Sequence, residues 1–137
     1  MEDRGYITIT EEPVGNRKVE ARFVDGNVWL APHEIARLFN VFVATVSNNL
    51  RAIFKKGMLF EHKVCRRFLT GTKYSDTLYN LEAIIFLSFR CATLEAQAFR
   101  QWMLHGLYEH YWDDKPKEPS VLLVYNYDPK HPGTILN

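Results

Sequence analysis

The chain has 137 residues, 47% of them hydrophobic, 14% aromatic and 24% charged, the size and make-up of one domain that buries its own core, which argues against disorder and against a disulfide scaffold. Seventeen Lys and Arg against sixteen Asp and Glu leave a formal charge of +1, which as a mean points to no polyanionic partner. No stretch approaches the roughly 20 apolar residues that span a bilayer, and the acidic start Met1-Glu2-Asp3-Arg4 is followed by no apolar run, so a cytoplasmic protein without secretory signal is expected.

The predicted elements begin with a strand over residues 6–10, where Tyr6, Thr8 and Thr10 alternate with Ile7 and Ile9, the period of a half-buried strand. Val14-Gly15-Asn16 marks a turn. Residues 18–24 and Val28-Trp29-Leu30 flank Asp25-Gly26-Asn27, and Asp-Gly between apolar runs predicts an antiparallel hairpin. Pro32 suits a first helical turn and Glu34 complements its dipole. Ile35, Leu38 and Phe39 form that helix's apolar stripe, and Asn40 is a left-handed stop. A second helix is expected over residues 43–56, with Val46, Leu50, Ile53 and Phe54 inward and Lys55-Lys56-Gly57 at its end.

Residues 63–69 and 73–79 read as two strands joined by Thr70-Gly71-Thr72, in which Gly71 is a turn residue. Asn80 caps a helix reaching about Arg90; Leu81, Ile84, Ile85, Phe86, Leu87 and Phe89 cover nearly every side of it, so it should be the most buried element. Thr93 starts a last helix with an apolar stripe of Ala96, Phe99, Trp102, Met103, Gly106 and Leu107, stopped by Asp113-Asp114-Lys115-Pro116. Lys117-Glu118-Pro119 is a linker, residues 121–127 are a short apolar strand, and His131-Pro132-Gly133 belongs to a turn-rich end. That strand is expected to cap the N-terminal sheet of its own chain, in preference to pairing with another subunit. Residues 1–116 thus form the domain and 117–137 a C-terminal strand and tail.

The mean charge conceals a strong partition. Residues 1–32 hold four basic and six acidic side chains, residues 33–74 eight and two, and residues 75–137 five and eight. The positive excess is confined to the helix pair and the hairpin after it, and a local basic field steers association with phosphates. The order hairpin, helix, turn, helix, basic hairpin reads as an α+β fold: a winged helix-turn-helix-like domain with an N-terminal β-hairpin, a basic wing hairpin and two C-terminal helices. In such a unit the second helix enters the major groove. Ala44, Thr45, Ser47, Asn48 and Arg51 face outward, with Asn49 beside them. Asn bonds adenine through two atoms, Ser and Thr bond bases or phosphate, and Ala44 or the Thr45 methyl meets a thymine methyl. Arg51, Lys55 and Lys56 are expected on phosphates. The wing, residues 63–79, adds Lys63, Arg66, Arg67 and Lys73; Arg66 and Arg67 are adjacent, so in a strand they point to opposite faces. Duplex DNA is the expected partner, with a homodimer inferred from the habits of such readers and from the spare C-terminal strand.

Val28-Trp29-Leu30, Glu34-Ile35-Ala36-Arg37-Leu38-Phe39, Thr45-Val46-Ser47, Leu50, Ile53-Phe54, Gly57 and Val64-Cys65 together resemble the N-terminal part of the RhuM family of virulence-associated proteins. Tyr79-Asn80-Leu81-Glu82-Ala83-Ile84-Ile85 and Phe99-Arg100-Gln101-Trp102 fit the same family and are also similar to the Bro-N domain of phage antirepressors. The resemblance covers about residues 19–111. It implies a DNA-binding domain of bacterial and phage mobile elements, without catalytic activity in this region. Members usually start the recognition helix with an Asp-Arg-Ser type of sequence and carry a basic residue before the equivalent of Leu50, where this chain has Phe42-Val43-Ala44 and Asn48-Asn49. Such an apolar tip also fits a module that keeps the fold and binds a protein partner instead.

Other chemistry is not expected. His105 and Glu109 share a helix face, but His105 and His110 lie about 140° apart, which disfavours a metal site. His33 and His62 read as surface or cap residues. Cys65 and Cys91 read as free thiols; Arg66 and Arg67 would lower the Cys65 pKa, yet no base accompanies it. With no nucleophile–base–oxyanion set, neither an enzyme nor a cofactor is expected. Arg100 is expected to pair with Glu82 or Glu95, and Trp29 to anchor the core beneath the helix pair.

Overall fold

Alternation along the first strands sets one face of a small sheet against the core. The computed structural model describes residues 3–70, 73–112 and 122–130. Strand β1 (Tyr6–Glu11) pairs antiparallel with β2 (Arg17–Arg22) in the register Tyr6↔Arg22 to Glu11↔Arg17. Their connection is a 3-10 turn, Pro13–Gly15, in which Gly15 takes φ 82°. Along β2, Arg17, Val19 and Ala21 are buried while Lys18, Glu20 and Arg22 are half-buried. Strand β5 (Leu122–Tyr127) lies on the other side of β2, antiparallel, giving the order β1-β2-β5. The C-terminal strand therefore does pair with the N-terminal sheet of its own chain.

The Asp25-Gly26 turn forms, with φ of 54° and 73°, and Val24 and Asn27 exchange backbone bonds of 2.9 and 3.1 Å. It does not close the predicted hairpin. Trp29 N–H donates to the Arg4 carbonyl (3.1 Å), and Leu30 exchanges bonds of 2.9 and 2.8 Å with Tyr79. The partner of β2 is β1 instead. Asn27 helps divert the chain, because its Oδ1 accepts from Val28 N–H and Leu81 N–H, both at 2.9 Å.

Helix α1 (Pro32–Phe39) and helix α2 (Val43–Lys55) follow at the predicted places. Asn40 adopts the left-handed stop (φ 55°, ψ 52°), and Val41 N–H reaches back to the Ala36 carbonyl at 2.9 Å, so the turn between the helices is tightly closed. Gly57 takes φ 71° beyond α2. A short helix α3 (Glu61–Val64) then precedes strands β3 (Cys65–Thr70) and β4 (Lys73–Tyr79). Lys63, expected in the hairpin, is therefore helical; Val64 turns into the core and its carbonyl holds Asn80 N–H at 2.9 Å. A single turn is too short to leave a periodic signal.

Asn80 Oδ1 caps α4 (Leu81–Ser88) by accepting from Ala83 N–H at 3.1 Å. Only one side of α4 is fully buried, through Ala83, Ile84, Leu87 and Ser88; Phe89, just past its end, is 64% exposed, so burial all round is not observed. In α5 (Leu94–Trp112), Ala96, Phe99 and Trp102 are buried but Leu107, assigned to the same stripe, is 65% exposed. The Thr93 hydroxyl accepts from Ala96 N–H (3.2 Å) and donates to the Phe39 carbonyl (2.6 Å), capping α5 and tying it to the end of α1. Phe39 and Phe99 meet edge to face at 5.3 Å, and Phe99 lies 5.2 Å from Trp102; with Ile35, Ile53, Ile84 and Leu87 they fill the core.

Arg100 makes neither expected carboxylate pair. Its Nη1 donates to the carbonyls of Ser88 and Cys91, closing the end of α4. Glu95 pairs with Arg17 of β2 (Nε–Oε1 3.3 Å), and the Tyr127 hydroxyl donates to Gln97 Oε1 (3.1 Å), so the sheet is clamped on α5 by polar contacts. Trp29 also differs from expectation: it packs on Phe68 (5.7 Å) over the β3–β4 hairpin, in a small second cluster with Ala31 and Leu78. No helix among the described residues is long and apolar enough to cross a membrane. The proposed stop at Asp113–Pro116, the linker at 117–119, Gly71 and the turn at 131–133 lie outside the described residues.

Glu34 gives the fold a pH dependence. Burial alone would raise its carboxyl pKa, but hydrogen bonds from Arg4 (Nη1 2.9 Å) and Ala31 N–H (2.8 Å) outweigh burial and hold it below the ordinary range. A folded pKa below the unfolded one contributes stability above the unfolded pKa, and that stability is lost as pH falls through the folded value. Urea midpoints measured in a pH series should decline below about pH 5, and Glu34→Gln should flatten part of that decline.

Candidate nucleic-acid interface

The burial of Val46, Leu50 and Ile53 fixes which side of α2 faces out. Ala44, Asn48, Arg51 and Lys55 stand at i, i+4, i+7 and i+11 on the opposite side, and all four are exposed, so they form one continuous ridge. Thr45 and Ser47 flank it and are half-buried, while Lys56 is exposed at the end. Asn49 has a different occupation: its Oδ1 accepts from Arg90 Nε at 2.8 Å, joining α2 to the α4–α5 junction. Helix α2 carries no acidic residue. Among the described residues, Arg51, Lys55, Lys56 and Arg67 make no ion pair.

The hairpin supplies a second group of cations. Arg66 stands opposite Leu78 and Arg67 opposite Thr77, with the register shifting between Arg67 and Leu69. The Arg66 guanidinium carbon lies 4.4 Å from the Trp29 ring centre and 4.0 Å from that of Phe68. Stacking on two rings braces an exposed planar cation at modest energy. Lys63 Nζ, on α3, sits 5.4 Å over the Phe60 ring. Lys73 begins β4 opposite Thr70; its side chain lies outside the described residues.

Two contacts fix helix and hairpin relative to each other. Phe54 of α2 stacks on Tyr79 at the end of β4 (6.3 Å, 24°), and Tyr79 is bonded to Leu30, just before α1. Neither this brace, nor Arg66 on Trp29, nor Asn49 with Arg90 has a local sequence signal, because each joins residues far apart in the chain. The exposed tip Phe42-Val43 is legible as an apolar pair where a Ser, Thr, Asp or Asn cap is usual.

The sequence expectation for Cys65 is reversed. Burial, and then the nearby Glu61 charge, push its thiol above the ordinary range; the Arg66 guanidinium is turned onto the aromatic rings instead. Burial likewise raises Cys91, so neither thiol is primed as a nucleophile. His105 Nε2 meets Glu109 Oε1 at 3.3 Å, and no group of three metal-ligating side chains occurs among the described residues. No protein-family model, curated protein or solved structure matches the chain.

Proposed function

We propose that the chain is a winged helix-turn-helix DNA-binding domain that sets α2 into the major groove and lays the β3–β4 hairpin on the flanking backbone. The observation that carries this reading is the exposed ridge of α2, which combines an amide at Asn48 with the cations Arg51 and Lys55, in no ion pair among the described residues, and has no carboxylate on its helix. Phosphate contacts from such cations position a protein, and a side-chain amide on a groove-facing helix reads bases. The brace from Phe54 through Tyr79 to Leu30 supports the wing assignment, since it holds hairpin and helix in a fixed relation. The RhuM and Bro-N resemblance adds a setting, regulation of genes on a bacterial or phage mobile element, inside the cytoplasm.

A second reading, a protein-interaction module of the same fold, is favoured by the tip, where Phe42 is 84% and Val43 46% exposed. Salt dependence separates the two. With four to six phosphates contacted, log K falls against log salt with a slope of about −4 to −5; titration of a fluorescent duplex at several salt concentrations measures it. A slope near zero, or no duplex bound at low salt, selects the interaction module. In the same assay Asn48→Ala should change preference at one base pair by about 1–3 kcal/mol while leaving the slope unchanged.

A further inference from the structure

Phe42 occupies the N-cap position of α2 in extended geometry (φ −74°, ψ 150°), with no side-chain hydrogen bond to the first turn. A polar cap at this position typically stabilises a helix by about 1 kcal/mol. Here the position goes to the most exposed large apolar side chain of the described residues, followed by exposed Val43 and Ala44. An isolated surface phenylalanine needs no explanation. Three consecutive exposed apolar residues at the head of a ridge of Asn48, Arg51 and Lys55 are a different matter. The ridge complements a surface on which small apolar groups stand among acceptors and negative charge. The thymine C5-methyl in the major groove is such a group, flanked by base-edge acceptors and phosphates.

Building on the DNA reading proposed above, we infer that Phe42 is a specificity-determining residue that recognises thymine methyl groups at the groove position met by the start of α2. The contact desolvates one methyl against the ring edge, and no polar group of either partner is lost from water. Helices α1 and α3 also start without a side-chain cap, on Ala31 and Phe60, so it is the exposure of Phe42 at the head of the ridge, and not the missing cap, that carries the assignment. Adenine–thymine pairs are thereby selected through the thymine strand, independently of any amide contact to adenine by Asn48.

The test takes a duplex selected from a random pool and replaces its thymines one at a time by deoxyuridine, which removes only the methyl. Binding of the whole chain and of Phe42→Ala is followed by fluorescence anisotropy at fixed salt. The wild-type chain should lose about fourfold in affinity at one or two thymines, the value of one methyl-sized apolar group. Phe42→Ala should be blind to at least one of those positions, with the salt slope unchanged. Because Phe42 is 84% exposed, the variant should melt as the wild type does. Equal affinities for thymine and deoxyuridine duplexes, or identical losses in Phe42→Ala, with salt-dependent binding intact, overturn the role of Phe42 alone. Failure to bind any duplex at low salt overturns it together with the DNA reading and leaves the tip to a protein partner.

Discussion

Replacing Arg51, Lys55 and Lys56 together by glutamine should weaken duplex binding by about 10²–10³-fold at 0.1 M salt and make the salt slope shallower by about 2.7, the value for three phosphate contacts. All three side chains are exposed and, among the described residues, unpaired, so no ion pair among the described residues is broken by the exchange. The one structural cost is the loss of cations at the negative end of α2, about 0.3–1 kcal/mol for each of Lys55 and Lys56. That is too small to unfold a domain of this size, and the thermal melt should fall by a few degrees only. Anisotropy titrations at three salt concentrations, with a parallel melt, check both halves. An unchanged slope would remove α2 from the interface even if the chain still binds DNA through its hairpin.

Glu95→Ala should cost about 3–5 kcal/mol, the usual penalty for breaking a buried ion pair from one side. The side chains of Arg17 and Glu95 are only 10% and 17% exposed. Arg17 keeps a bond to the Gly15 carbonyl (2.9 Å) and a long contact to exposed Glu11 (3.7 Å), which places the expected loss toward the lower end. The cost comes from leaving a buried guanidinium with only the long contact to exposed Glu11 as counterion, rather than from a large net attraction. A double replacement, Arg17→Met with Glu95→Leu, should therefore recover most of the loss, since a well-packed apolar pair matches a buried ion pair in stability. Urea unfolding of both variants decides it: if the double variant is as unstable as Glu95→Ala, the guanidinium contributes through packing or through its carbonyl bond instead. Tyr127→Phe provides a milder comparison, because it removes only the hydroxyl that reaches Gln97.

The parts of the fold legible in advance are those with local causes. Pro32, Asn40 and Gly57 mark the limits of the helix pair because each governs the backbone within one turn of itself. The apolar stripe Val46-Leu50-Ile53 then determines the exposed ridge by geometry alone, which is why Ala44, Asn48, Arg51 and Lys55 can be chosen from the sequence. The Asp25-Gly26 signal shows the limit of such reasoning. It reports φ at two residues correctly but does not say which strand β2 will meet, since Leu30 is taken by Tyr79, 49 positions later. Arg100 misleads for a related reason. Carboxylates within reach in sequence attract the expectation, whereas the end of α4 presents unsatisfied carbonyls that a guanidinium meets equally well. Asn49 and Arg66, both chosen as nucleic-acid contacts, have protein partners in Arg90 and Trp29 that only the folded chain brings near.

Strand β5 closes a sheet whose other members are made first. Its register runs from Arg17↔Tyr127 to Arg22↔Leu122, so each pairing spans on the order of 100 residues, and contacts of such separation form slowly because a long loop must be closed first. At a synthesis rate of about 5–20 residues per second, the outer edge of β2 has no partner for roughly 5–20 s after it leaves the ribosome's peptidyl transferase centre. During that interval the nascent chain displays an open strand edge beside Val19 and Ala21. The alternate residues Lys18, Glu20 and Arg22 are charged and half-buried, and charges of this kind on an open strand discourage neighbouring chains from adding a strand to it.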